Sequence, residues 1–234
     1  MTLNSESLFH FTSSRENIES ILKDGFFWPI YCAEVDKEYK DHLHACAFPM
    51  VCFCDIPLSQ IEEHTNDYGN YAIAMSKEWA KKRGVSPVTY YTGSESLAIK
   101  LLRRNENIVS KKDKAFWLSL LKKYRGKTWS LKENGFKNKV LYNEREWRYI
   151  PQNIPYKELI LKVDYSSFEK KDASENTRKY GLKFTLEDIR YIILDKEEER
   201  IAFINNLKKV ITDEYNLTII CSKILTIEQI KDDF

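Results

Sequence analysis

Apolar positions along the chain change their period several times, and each change marks an element. Ser7 to Thr12 (SLFHFT) alternates enough apolar and aromatic residues to predict a short strand. Ser13 or Ser14 can cap the following amphipathic run, in which Ile18, Ile21 and Leu22 recur at helical spacing until Gly25 stops it. Phe26 to Ile30 reads as extended, and the polar stretch through Asp41 as loop or irregular helix. PMVCFCDIP, bounded by Pro49 and Pro57, is a continuous apolar run that suits a buried strand of about five to six residues. LSQIEEHTNDYG fits a short helix ending at Gly69, YAIAMS a strand, and KEWAKKRG a second helix ended by Gly84.

Beyond a possible strand in SPVTYY, two helical patterns follow. In DKAFWLSLLKKYR, Phe116, Trp117, Leu120, Leu121 and Tyr124 form one helical face with lysines opposite. VLYNEREWRYIP, ELILKVDY, IRYIILD and LTIIC read as strands, ERIAFINNLKKVI as a helix, and TIEQIKDDF as a few helical residues capped by Thr226. Helices early, strands late and an inserted helical segment predict an α+β fold with a mixed sheet. No repeat or clean linker divides the chain, so 1–234 is read as a single domain carrying a basic helical insertion at 95–140.

Composition narrows the classes. With 43% hydrophobic and 31% charged residues in 234, and only 7 Gly and 6 Pro, the chain can bury a core, which excludes collagen-like and disordered classes. No apolar window is long enough to span a bilayer and the first residues lack a secretory pattern, so a cytoplasmic location without membrane contact is expected. Five cysteines in a chain of this size read as reduced thiols. The net charge of +2 conceals an asymmetry: Lys100 to Val140 holds 13 Lys/Arg against Glu106, Asp113 and Glu133, a local +10 that leaves 2 − 10 = −8 elsewhere.

Three pieces carry candidate chemistry. His10 and Thr12 lie two apart on a strand and share a face, fit either for one ligand or for local packing. In NEREWRY, extended backbone puts Glu144, Glu146 and Arg148 on one face; neighbouring carboxylates repel unless a cation or polar ligand lies between them, so the pattern marks a cleft or an edge neutralised by Arg and Lys. Past the buried strand holding Phe53, a polar loop carries Ser59, His64, Asp67, Tyr68 and Tyr71, suited to stack on a flat ring or simply to pack. In the basic segment Lys111, Lys112, Lys122, Lys123, Arg125 and Lys127 accompany aromatics including Trp129. That mixture serves phosphate attraction with base stacking on RNA or DNA, an acidic protein partner, or a solvated helix over core aromatics. His42, His44, Cys46, Cys52 and Cys54 are zinc-type ligands, but their spacing lacks the usual knuckle gap of about two to four residues, so no metal site is expected. No Gly-rich phosphate loop, HExxH helix or GxSxG elbow occurs.

The order LFHFT, ILKDGF, the strand with Phe53, a polar helix with Tyr68 and a late Glu-x-Glu resembles the ADP-ribosyltransferase superfamily, which implies a split mixed sheet that binds NAD as co-substrate. More narrowly, LFHFT, PMVCFCDIPLS, HTNDYGNYAIAMSKEW, EREWRYIP and ILTIEQIKDDF resemble the AbiGi family of abortive-infection antiphage proteins over nearly the whole chain. The first resemblance implies that His10 meets the adenosine ribose and Thr12 the nicotinamide side, with Phe53, Tyr68 and Tyr71 around the cofactor. It makes Glu146 the catalytic acid on the nicotinamide ribose and Glu144 the group that orients or deprotonates the acceptor, read as nucleic acid, RNA or DNA. The second implies an alternative: a non-catalytic antitoxin or regulatory protein that binds a cognate toxin. Tyr71 competes with Tyr68, and Glu144 with Glu146, for the central places.

Overall fold

The structure is a computed structural model that describes residues 5–34, 44–104, 110–164 and 174–233. The chain opens with β1 (Ser7–Thr12) and α1 (Arg15–Asp24), whose Ser14 side chain accepts the Asn17 N–H and whose end is closed by Gly25 at φ 70°. β2 (Phe26–Phe27), β3 (Ile30–Glu34) and β4 (His44–Cys54) follow, then α2 (Ile61–Tyr68), β5 (Tyr71–Ser76), α3 (Lys77–Lys82), β6 (Ser86–Pro87), β7 (Thr89–Tyr91) and α4 (Leu97–Arg104). Next come α5 (Lys111–Ser119), β8 (Leu121–Lys123), β9 (Arg125–Ser130), β10 (Gly135–Val140), β11 (Glu146–Tyr149), α6 (Tyr156–Leu159) and β12 (Leu161–Asp164). β13 (Leu182–Lys183), β14 (Ile189–Leu194), α7 (Glu199–Leu207), α8 (Glu214–Cys221), β15 (Ile224–Thr226) and α9 (Ile227–Asp233) complete the described chain.

The main sheet runs β15-β14-β5-β1-β4-β11-β6, with β3 and β12 also paired to β4. Only β14 and β15 are parallel in it, so the sheet is mixed and the fold is α+β. β4 is longer than its apolar run predicts. Its first half pairs β3 and β12, its second half pairs β11 and meets β1, and Pro49 sits inside it opposite Tyr31.

Strand alternation divides the side chains between two faces. Leu8, Phe53, Ile73, Met75 and Ile192 lie on the first, under Ile18 and Leu22 of α1 and Phe203 of α7. Burying Ile18 and Leu22 stabilises the α1 contact by roughly 2 kcal/mol each. Phe9, Ala72, Ala74 and Ile193 lie on the second, with Cys54 beside them and Ile56, Ile61, Ile227 and Ile230 packed over them.

Three expected elements differ. DKAFWLSLLKKYR is not one helix: α5 ends at Ser119 because Leu121 is drawn into a cluster with Tyr91 and Ile99, and β8 pairs parallel to β7. The 95–140 segment is therefore helical in its first part and a β-hairpin, β9 with β10, in its last. LTIIC belongs to a helix, since the Asp213 side chain accepts the Asn216 N–H and caps α8 while Ile220 reaches the core. β-branched propensity yields there to capping and burial.

Candidate functional site

Glu144 and Glu146 arrive at one place by an irregular route. After β10 the chain makes a 3-10 turn over Leu141–Glu144, and Arg145 takes the left-handed conformation at φ 43° before β11 begins. The Arg145 N–H donates to the Tyr142 carbonyl at 3.1 Å and its own carbonyl accepts the Asp55 N–H at 3.2 Å, which holds a conformation that costs a non-glycine residue energy. The turn buries Leu141 and Glu144 and leaves Tyr142 outside. Glu146 pairs with Cys54 and Arg148 with Cys52, so both point to the second face of the sheet.

There they form a buried ionic network. Lys122 Nζ lies 2.8 Å from Glu144 Oε2 and 2.5 Å from Glu146 Oε2. Arg148 donates from Nε to Glu146 Oε1 at 2.8 Å and from Nη2 to Glu146 Oε2 at 3.0 Å, while Nη1 donates to the Ser119 carbonyl at 2.6 Å. Tyr68 donates its hydroxyl to Glu144 Oε1 at 2.6 Å. Lys139 Nζ sits 3.5 Å from that same oxygen and 2.8 Å from Asp67 Oδ2, and Lys137 closes on Asp67 Oδ1 at 2.6 Å. The Glu146 N–H donates to the Tyr90 hydroxyl at 2.9 Å. Asp67, Glu144 and Glu146 are thus met by Lys122, Lys137, Lys139 and Arg148, which is why such charges persist at exposures of 2% for Glu144 and 1% for Arg148.

Burial pushes both glutamates toward the neutral acid, and the cations reverse it. Arg148 and Lys122 hold the Glu146 carboxyl far below the usual range, and Lys122 with Lys139 holds Glu144 below it. Burial, then the Glu144 charge, raises the Tyr68 phenol. The same combination raises the Cys54 thiol, with Glu144 and Glu146 as the charges. Beside this network His64 is 2% exposed, packed against Phe11 at 5.8 Å and Tyr68 at 6.4 Å, and neither ring nitrogen has a well-formed hydrogen bond among the described residues. Burial, then Lys139, lowers its pKa to about 4, so it is neutral near pH 7.

The residues expected around NAD do not converge. Tyr68, Glu144 and Glu146 share the second face, but Phe53 packs in the core of the first and His10 joins it there. His10 is 5.1 Å from the Phe27 ring and 5.7 Å from Phe53, and its Nδ1 lies 2.9 Å from the Cys52 carbonyl oxygen. Thr12 Oγ1 accepts a hydrogen bond from Asn17 Nδ2 at 2.7 Å, and the Tyr71 hydroxyl donates to Glu199 at 2.9 Å. Strand periodicity is the cause: His10 and Glu146 have opposite parity across the β1, β4 and β11 register, so the sheet itself separates them. The structure thus brings Tyr68, Glu144 and Glu146 together on one side of the sheet and leaves His10 and Phe53 on the other.

The basic residues also divide. Lys122 faces inward to the carboxylates of Glu144 and Glu146, at 12% side-chain exposure. Lys111 and Lys112 begin α5, Lys123 ends β8, and Arg125 and Lys127 are exposed on β9. Trp129 belongs to β9, and its side chain lies outside the described residues, as do His42 and the side chain of His44. Among the described residues no group of three His, Cys, Asp or Glu is placed to hold a metal ion, and no helix is long and apolar enough to cross a membrane.

A family model described as "Putative abortive phage resistance protein AbiGi, antitoxin" matches residues 26–195. The chain belongs to the AbiGi family. The abortive phage resistance protein AbiGi of Lactococcus lactis subsp. cremoris is 30% identical in a 224-position alignment that covers 80% of this chain and 88% of that relative. No solved structure matches.

The stretch matched to AbiGi contains the whole ionic network and begins after β1, so it leaves out His10 and Thr12. Sequence reasoning missed the pairing of Asp67 with Lys137 and Lys139. Its only trace is that Lys137 and Lys139 alternate on a strand and so share a face toward α2. Arg148, two residues beyond Glu146, was visible as a same-face neutralising partner.

Proposed function

We propose that this protein is the antitoxin member of an abortive-infection pair, which acts by binding its toxin and not by chemistry on NAD. The family description supports the antitoxin role. The observation that carries the non-catalytic part is the occupancy of Glu146: both carboxylate oxygens receive donors from Arg148 and Lys122 within a buried layer. A carboxylate that stabilises a ribosyl cation must turn an oxygen toward the sugar. Freeing Glu146 to do so breaks a buried pair, at a cost of about 3–5 kcal/mol. The network reads instead as a brace that fixes the β9–β10 hairpin and α2 to the sheet.

The test is co-expression with the products of the neighbouring genes, screened for one that is toxic when expressed alone. Growth rescue together with co-elution of the two proteins in size-exclusion chromatography is the expected result. Rescue without any complex, or a complex with no rescue, would contradict the proposal.

A further inference from the structure

Among the described residues, the β9–β10 hairpin meets the ionic network through Lys137 and Lys139. Lys137 and Lys139, paired in register with Thr128 and Gly126 across the hairpin, both meet Asp67 of α2. Alternation therefore turns Arg125 and Lys127 the other way, and both are exposed. From Leu121 to Lys132 the sequence contains five Lys/Arg and no acid, and Lys122 is drawn into Glu144 and Glu146.

At the root of the hairpin, just before β9 and just after β10, Tyr124 and Tyr142 stack with ring centroids 5.5 Å apart and an interplanar angle of 25°. They remain 41% and 48% exposed. The stack is supported from behind: Tyr90 meets Tyr142 edge-on at 5.2 Å, and its hydroxyl is fixed by the Glu146 N–H. The Tyr142 N–H donates to the Tyr124 carbonyl at 3.2 Å, which locks the two backbones together. Two large rings are thus held rigid, near-parallel and wet, although the core does not use them.

We infer that the root of the hairpin binds single-stranded nucleic acid, with the Tyr124 and Tyr142 stack as a platform for an unpaired base and the exposed Arg125 and Lys127, one and three residues along the chain from Tyr124, as phosphate contacts. A flat ring stack accepts any base through its π face, whereas in a duplex those faces are occupied by neighbouring bases. Cationic residues two apart on one strand, with Cα atoms about 6.8 Å apart, can follow a backbone laid along the hairpin. An acidic protein needs the cations but not a parallel ring stack. The inference does not depend on the antitoxin reading.

Fluorescence anisotropy with a labelled oligothymidylate or oligouridylate of about a dozen nucleotides, and a duplex of equal length, tests it between about 50 and 200 mM salt. The single strand is expected to bind more tightly than the duplex and to weaken as salt rises. Tyr124→Leu and Tyr142→Leu, which keep apolar bulk, each weaken binding about tenfold, and the corresponding Phe variants keep it. Arg125→Gln with Lys127→Gln lowers the salt slope on the single strand by about 1.4. Melting temperatures of all variants separate loss of binding from loss of fold, and the Phe variants remain informative if a Leu variant fails to fold. Absence of binding at low salt, equal affinity for duplex, or binding unmoved by both Leu variants would overturn the inference. Loss of a protein complex in the tyrosine variants of a chain that binds no oligonucleotide would assign the surface to a protein instead.

Discussion

Lys122 is the residue on which the two glutamates depend, because it contacts both carboxylates directly. Lys122→Met keeps most of the side-chain volume and leaves Glu144 facing Glu146, so unfolding free energy in urea is expected to fall by about 3–5 kcal/mol. A loss below about 1 kcal/mol would mean that water already screens the pair. The acid limb of stability follows from the same residues. Glu144 and Glu146 titrate lower in the folded chain than in the unfolded one, so the unfolded chain binds more protons as pH falls through the ordinary glutamate range. Their contribution is complete above that range and lost below it. His64 adds a second step in the same direction: at about 4 when folded against 6.5 when free, it takes up a proton first in the unfolded chain. His64→Phe should therefore flatten the decline of stability between pH 6.5 and 4, a difference on the order of 3 kcal/mol across that window. An unchanged slope in urea titrations over that range would show that His64 is not held neutral.

At the scale of elements, α2 and the hairpin are fastened by Asp67 and the sheet by Gly69. Asp67→Asn removes the charge that Lys137 and Lys139 share, and faster amide exchange confined to 125–140, with β1 and β5 unchanged, is the expected reading. Gly69 has φ 102°, and a Cβ there would lie 2.4 Å from the Thr12 carbonyl oxygen, so Gly69→Ala should cost about 2–4 kcal/mol in thermal or urea unfolding. These contacts explain which parts of the fold were legible. α1 and β5 carry their period, cap and stop in adjacent residues, and they form where the pattern puts them. α8 was hidden because Ile219 and Ile220 favour a strand locally, whereas Asp213 and the core decide for a helix. Glu144 was read as extended. The turn that buries it depends on Arg145 in the left-handed region, which no local residue preference announces. The clustering of Glu144, Glu146 and Tyr68 could be anticipated from spacing and resemblance. The exclusion of His10 could not, because parity across β1, β4 and β11 depends on a register set by the whole sheet.

For the whole molecule, membership of the AbiGi family and a mixed α+β sheet leave one question that the network answers in our account: whether Glu146 reacts or braces. In the bracing role its charge matters through stability alone, and Glu146→Gln changes protection from the toxin only as far as it lowers the amount of folded protein. The most direct measurement is nicotinamide released from NAD by purified wild-type protein, with folded Glu146→Gln alongside. The account predicts release at the level of the protein-free blank for both. Release by the wild type that disappears in Glu146→Gln would contradict it.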